Sequence, residues 1–268
     1  MRKRLKFEQM KTNLTILLEK FASDTWKKIR LGYLYSCSQI ETTITDNHLL
    51  EFSIANVNNL RIYKAKGLDE PKKGFDWEWW VGSYNRGYYR YSIQAKLLHY
   101  ADNKYYSLRY AVKGTQQIDI LESFSKSQNS IPLYCFYNSR PININNSTSW
   151  HCNLPYDTEQ LGCTLVPIDH VKKYIQKRST RTFESLHSTI DAIPWRCIVT
   201  CPSFFPRKNL INQLSPKNRE VRLVMELPDF LKKRNKEDEK YTIELPDKYY
   251  DSDLGGKPKN ILVFELEN

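Results

Sequence analysis

Asp76, Gln94 and Lys96 offer a carboxylate, an amide oxygen and an ammonium group at a spacing that would bring all three together. Side chains alternate along a β-strand, so positions two apart share a face. Gln94 and Lys96 are two apart, and the apolar Ile93 and Ala95 would point the other way. Asp76 lies 18 residues before Gln94, a separation that suits two adjacent strands joined by a turn. Glu78 would share the face of Asp76, while Trp77 and Trp79 would take the opposite, core-facing side. Oxygen donors of this kind bind hard divalent cations, which polarise a phosphate and help to generate hydroxide. A lysine beside them can orient the water and offset the negative charge that develops on the phosphate. The chemistry these residues suit is metal-assisted hydrolysis of a phosphodiester.

The elements that must position these residues follow from hydrophobic periodicity. Leu14, Leu17, Leu18, Phe21 and Trp26 recur at helical spacing within residues 11–30, which predicts an amphipathic helix. Ser38 followed by Glu41 reads as a capping box that opens a second helix reaching Ala55, with residues 56–59 ending it. Residues 60–64 form a short strand. The runs FDWEWWVG and YYRYSIQAKLL form two more, joined by the turn SYNRG, and KYYSLRY adds another short one. A helix over QQIDILESFSKS and a compact apolar strand, PLYCFYN, come next. Beyond a polar loop, GCTLVP reads as a strand, IDHVKKYIQKR as a helix and WRCIVTC as a strand. The closing ILVFELE is either a strand that pairs back onto the body or an exposed tail. Helices interleaved with strands predict a mixed α/β (α+β) core, a central mixed sheet flanked by helices. The chain divides into a helical segment at 1–37, a core at 38–205 and a charged C-terminal extension at 206–268.

Composition bounds the partners. Lys and Arg number 41 against 30 Asp and Glu, a formal charge of +11 that attracts polyanions such as nucleic acid. Tyr84, Arg86, Tyr88 and Arg90, in and beside the turn between the two motif strands, interleave aromatic rings with guanidinium groups as nucleic-acid strands favour. Gln117, at the start of the following helix, is placed either to meet Lys96 and the phosphate backbone or to cap the helix. No stretch approaches the ~20 apolar residues of a membrane span. The basic start MRKRLKFEQMK leads into no apolar region or cleavage site, so a cytoplasmic setting without membrane attachment is expected. Six cysteines in 268 residues are too sparse for a disulfide scaffold and lack a C-x-x-C zinc knuckle, so they read as small buried hydrophobes.

The motif resembles that of the PD-(D/E)xK, or restriction-endonuclease-like, nuclease superfamily. Within it, the match is to the Mrr-like branch, where glutamine replaces the second acid and the motif reads Q-A-K, here Gln94, Ala95 and Lys96. Gly74-Phe75-Asp76 matches the preceding G-x-D element, and QQIDILESF followed by PLYCFYN matches the helix and strand that come after. The resemblance covers residues 38–138, and the whole chain resembles a bacterial domain family placed in this superfamily. It implies a restriction-endonuclease-like fold with Asp76 and Gln94 as ligands of Mg²⁺ or Mn²⁺ and Lys96 as the residue that positions or activates water. Glu41, from an upstream helix, and Glu78 are candidates to complete the catalytic shell, Glu41 as a third metal ligand. DNA is the implied substrate and defence against foreign DNA the implied context, for a homodimer or a subunit of a defence complex. The alternative is a nuclease-like scaffold without turnover that binds nucleic acid or a partner protein. Each residue also has a plainer reading: Asp76 and Lys96 as a structural ion pair, Gln94 as a solvent-facing strand residue, and Glu41 as a helix cap.

Overall fold

The computed structural model describes residues 13–65, 73–140, 154–187, 192–201, 211, 214–232, 242–243, 245–246 and 257–266. Helices α1 (Asn13–Leu34) and α2 (Glu41–Ala55) precede strands β1 (Leu60–Ala65), β2 (Lys73–Ser83) and β3 (Gly87–Leu97). A 3₁₀ turn (Tyr106–Arg109) and the two-residue strands β4 (Ala111–Val112) and β5 (Thr115–Gln116) lead into α3 (Gln117–Ser127) and β6 (Ile131–Tyr137). Then come β7 (Cys163–Pro167), α4 (Ile168–Ile175), α5 (Phe183–His187), β8 (Ile193–Pro194) and α6 (Cys197–Thr200). The last described elements are α7 (Asp229–Lys232), β9 (Thr242–Ile243) and β10 (Lys257–Glu265).

Eight of the strands form one mixed sheet in the order β8-β7-β6-β3-β2-β10-β1-β9. β2 and β3 are an antiparallel hairpin, and β3 runs parallel to β6 because α3 makes the crossover between them. Helices cover both faces, giving an α/β fold with a central mixed sheet between two helical layers. On one face Trp77, Trp79, Tyr91 and Ile93 pack with Leu18 and Phe21 of α1 and Phe52 of α2. On the other, Trp80, Tyr134 and Phe136 pack with Leu121 and Phe124 of α3 and Val171 of α4. Burial on both faces explains why β2, β3 and β6 are dense in aromatic and branched residues rather than alternating apolar with polar.

The second helix runs from Glu41 to Ala55 as the sequence predicts, and Asn56 ends it in the left-handed conformation (φ 42°). It opens differently: Ile40 is the N-cap and makes no side-chain cap hydrogen bond, so the expected Ser38–Glu41 capping box is not formed. KYYSLRY is not a strand. Tyr105 is fully buried and gives its backbone N–H to the Arg181 carbonyl, and the chain then tightens into the 3₁₀ turn. WRCIVTC is likewise not a strand, since Trp195 makes a last sheet hydrogen bond to the Cys163 carbonyl and residues 197–200 then coil into α6.

Part of the 206–268 extension belongs to the same sheet as the core. ILVFELE is the strand alternative of its two readings: β10 inserts between β1 and β2, antiparallel to the first and parallel to the second. Its Ile261, Leu262, Val263 and Phe264 are all buried, so the last described strand is part of the core. The segment before residue 38 is likewise no separate unit, because α1 packs on the same core as α2. No helix among the described residues is long and apolar enough to cross a membrane.

Candidate functional site

β2 and β3 stay paired only as far as Trp77↔Ile93, while β3 continues alongside β6 to Leu97↔Tyr137. Beyond Trp77 and Ile93 the two strands part, and the β3 amides on that side lose their ladder partners. A buried N–H must find an acceptor. Here the Ala95 N–H donates to Asp76 Oδ2 at 2.8 Å, and Gln94 Nε2 donates to the same oxygen. The register of β2 against β10 shifts at the same place, between Lys257 and Pro258. Bulges of this kind re-aim side chains next to functional sites. The backbone is fixed from the other side as well, because Asn260 Nδ2 donates to the Asp76 carbonyl at 3.2 Å.

A cavity of about 600 Å³ opens where the strands part. Asp76, Gln94 and Lys96 line it together with Glu41, Gln117 and Lys259. The sequence-predicted trio therefore converges, although it is nearly inaccessible: Asp76 and Gln94 are 2% exposed and Lys96 is 3%. Glu41 and Gln117 arrive from opposite helical layers, each as the first residue of its helix. Lys96 Nζ donates to Gln117 Oε1 at 2.9 Å and lies 3.9 Å from Glu41 Oε1. Of the two readings for Gln117, the structure places it against Lys96.

Burial raises the Glu41 carboxyl from its ordinary 4.5 to about 7. The nearby Lys96 ammonium pulls it down, and the Asp76 charge pushes it up further. The Leu97 N–H, which it accepts, also favours the charged form. Tyr134, paired with Gln94 in the register, has its phenol held in the neutral form chiefly by burial, with the charges of Glu41, Asp119 and Asp76 adding to the effect.

Two polar atoms at the heart of this cluster are buried without a hydrogen-bond partner among the described residues: Gln94 Oε1 and the Tyr134 hydroxyl. A buried orphan acceptor costs about 1–3 kcal/mol and calls for an explanation. Among the described residues no group of three His, Cys, Asp or Glu side chains is placed to hold a metal ion. The donors available in the cavity are two carboxylates, Asp76 and Glu41, and the amide oxygen of Gln94. These are hard oxygen donors, the set that suits Mg²⁺ or Mn²⁺, and Gln94 Oε1 has no other bond to give up.

Glu78 does not join the site. Its carboxylate is fully buried and closed off, accepting from Arg90 Nη2 at 2.8 Å and from the Trp80 indole N–H at 2.7 Å. Arg90 is likewise not a surface contact for nucleic acid. It is 5% exposed, donates to Gln128 Oε1 at 3.0 Å and lies over the Trp80 and Phe124 rings. Tyr88 is also buried, with its hydroxyl on the Glu265 carboxylate. Tyr84 and Arg86 are exposed, but at the wrong end of the hairpin. Eight residues of strand from Asp76 to Tyr84 span roughly 25 Å.

The basic and aromatic residues at the cavity are others. Tyr110 and Lys113 line its rim, Tyr110 being 57% exposed. Lys113 sits at the tip of the β4–β5 hairpin, where it and Gly114 both have positive φ (49° and 85°). That is the type I′ turn, which a non-glycine residue enters at some cost in strain. The Lys-Gly pair between short polar strands was a turn signal in the sequence. Lys259 had no such signal: its ammonium donates to Asp76 Oδ1 at 2.7 Å from a strand more than 180 residues away along the chain.

Among the described cysteines, 135, 163, 197 and 201 are buried and Cys37 is exposed. His151 and Cys152 lie outside the described residues. Lys172, in the basic helix α4, pairs with Glu122 of α3.

Comparison with curated proteins and with solved structures finds no match to this chain. Residues 14–265 match one protein family throughout, and the chain belongs to it: DUF6615, a family of unknown function.

Proposed function

We propose that this protein is a metal-dependent nuclease that hydrolyses phosphodiester bonds, with DNA as its substrate. The observation that carries the reading is the convergence of Asp76, Gln94 and Lys96 on one open cavity, with Gln94 Nε2 donating to the Asp76 carboxylate and Gln94 Oε1 buried without a partner among the described residues. A cation held there supplies charge to polarise the scissile phosphate and to lower the pKa of a water. Asp76, Gln94 and Glu41 are the residues that would hold it. Asp76 is fixed for this by the Ala95 amide, which donates to its carboxylate, and by the Asn260 side chain, which donates to its carbonyl. Lys96 orients the attacking water and offsets charge on the phosphate, and Gln117 keeps its ammonium aimed into the cavity.

At the rim, Lys113 meets a flanking phosphate and the exposed Tyr110 ring offers a face to a base. The resemblance to Mrr-like proteins supports DNA over RNA, a restriction-endonuclease-like core, and a role in defence as a homodimer or a subunit of a larger complex. A second reading, a nuclease-like module that binds nucleic acid without cutting it, is favoured by one observation. The Lys259 ammonium already neutralises Asp76.

The test compares the full chain with Asp76→Ala and Lys96→Ala on plasmid DNA and RNA, with Mg²⁺ or Mn²⁺. Cleavage by the wild type that both variants lose, with nucleic-acid binding retained, supports the nuclease. Binding without cleavage by the wild type supports the second reading and rejects the first.

A further inference from the structure

We propose that Lys259 is a built-in occupant of the cation position, and that it turns to the substrate phosphate once a divalent cation takes its place. The proposal rests on the nuclease reading and concerns how that site is held before substrate arrives.

Asp76 has no idle oxygen. Oδ2 accepts from the Ala95 amide and from Gln94, and Oδ1 accepts from Lys259 at 2.7 Å. Of these three donors Lys259 is the one whose side chain is open to solvent. The Ala95 amide belongs to the strand, and Gln94 is 2% exposed. Lys259 is 27% exposed and faces the cavity on a four-carbon stem. Its backbone does not move with it, because the next residue, Asn260, is paired with both β1 and β2 and its side chain is tied to the Asp76 carbonyl. The device is therefore a mobile charge on a fixed base. Lys96 is different: it is buried and held by Gln117, so it keeps its station throughout.

The charges explain why such an occupant is useful. Asp76 and Glu41 bring two carboxylates to one cavity, where like charges repel each other. An ammonium on Asp76 relieves that repulsion in the free protein. It must then be displaced before a cation can reach Oδ1, and a +1 group left beside a +2 ion is unfavourable. A phosphate entering the cavity gives Lys259 a new partner at the moment it is released. Cation and phosphate should therefore bind cooperatively, each improving the affinity of the other by the same factor. The site would take up its cation when the nucleic acid is present and hold it poorly when it is not.

The experiment titrates Mn²⁺ into the full chain, followed by electron paramagnetic resonance. The parent is Lys96→Ala, so that the strand stays intact, and it is compared with the same protein carrying Lys259→Met or Lys259→Arg, with and without a DNA oligonucleotide. Thermal melts establish that each variant is folded. Without DNA, Lys259→Met should bind Mn²⁺ about tenfold more tightly than the parent, whereas Lys259→Arg should remain weak. DNA should tighten Mn²⁺ binding about tenfold in the parent and much less in Lys259→Met. Equal Mn²⁺ affinity in the parent and Lys259→Met overturns the proposal, and it leaves the nuclease reading standing if the wild type still cuts with metal. Absence of Mn²⁺ binding in every protein overturns both.

Discussion

Asp76 and Glu78 lie two residues apart on β2, on the same face of the sheet, and meet opposite fates. The Glu78 carboxylate is sealed by Arg90 and by the Trp80 indole N–H, with Phe124 of α3 packed over the arginine. Asp76 sits where β2 and β3 have parted, so its charge is shared among a strand amide, a glutamine and a half-exposed lysine, beside an open cavity. One pair of strands thus carries a closed ion pair along its middle and an open cluster at its end. The difference lies in the covering layer. Phe124 of α3 packs over Arg90, whereas the cavity beside Asp76 is lined by Glu41 and Gln117, the first residues of α2 and α3, and by Tyr110 and Lys113. Two carboxylates two positions apart are therefore sealed in one place and open to a cavity in the other.

That contrast can be broken from the closed side first. Arg90→Ala leaves Glu78 buried without its counter-charge and should cost about 3–5 kcal/mol in urea unfolding. Replacing both partners with apolar residues of similar volume, Glu78→Leu with Arg90→Met, should recover most of that loss. A double variant as unstable as Arg90→Ala would show that the pair contributes more than mutual neutralisation.

Acid should loosen the same closed interior while leaving the sheet pattern unchanged. His48, hydrogen-bonded to Thr25, is lowered from 6.5 to about 3, and His187, beside Thr164, to about 4, in both cases chiefly by burial. Both fold as neutral rings, and the unfolded chain binds their protons more readily. Their contribution is complete above about pH 6.5 and is lost as pH falls toward the folded values, at up to about 1.4 kcal/mol per pH unit for each histidine. Unfolding measured between pH 7 and 5 should show this decline, and His48→Gln should make it shallower.

The open cluster should respond in activity rather than in stability. Lys96→Ala should lower metal-dependent cleavage on the order of 10²-fold, with a melting temperature close to that of the parent. The smallest effect compares the two ends of the hairpin. Lys113→Ala should weaken DNA binding modestly and reduce the salt dependence by about one charge. Tyr84→Ala, at the far turn, should leave both unchanged, and a filter-binding salt series separates the two.

The convergence of Asp76, Gln94 and Lys96 was legible because strand alternation is strict and the two strands are neighbours in sequence. The helix that delivers Gln117 was legible for the same reason, as Ile118, Leu121 and Phe124 mark its buried stripe. Which faces of the strands would be covered was not legible. Tyr88 and Arg90 read as surface residues, but both faces of the sheet are buried, and α3 and Glu265 claim these two side chains. Glu41 read equally well as a cap, and only the tertiary fold turns it toward Lys96 and Leu97. Lys259 was out of reach altogether. A polar approach to ILVFELE gives no sign that the strand will be inserted at the centre of the sheet, because that placement is set by long-range pairing and not by local pattern.

The most direct test of the central claim is cleavage by the full chain and by Lys96→Ala, matched for folding by thermal melts. Both are incubated with end-labelled single-stranded DNA, double-stranded DNA and RNA, with Mn²⁺ or with chelator. The account predicts that the wild type cuts DNA with Mn²⁺, stops when the metal is chelated, and that Lys96→Ala leaves the DNA intact. Equal cutting by both proteins, or cutting that survives chelation, would contradict it.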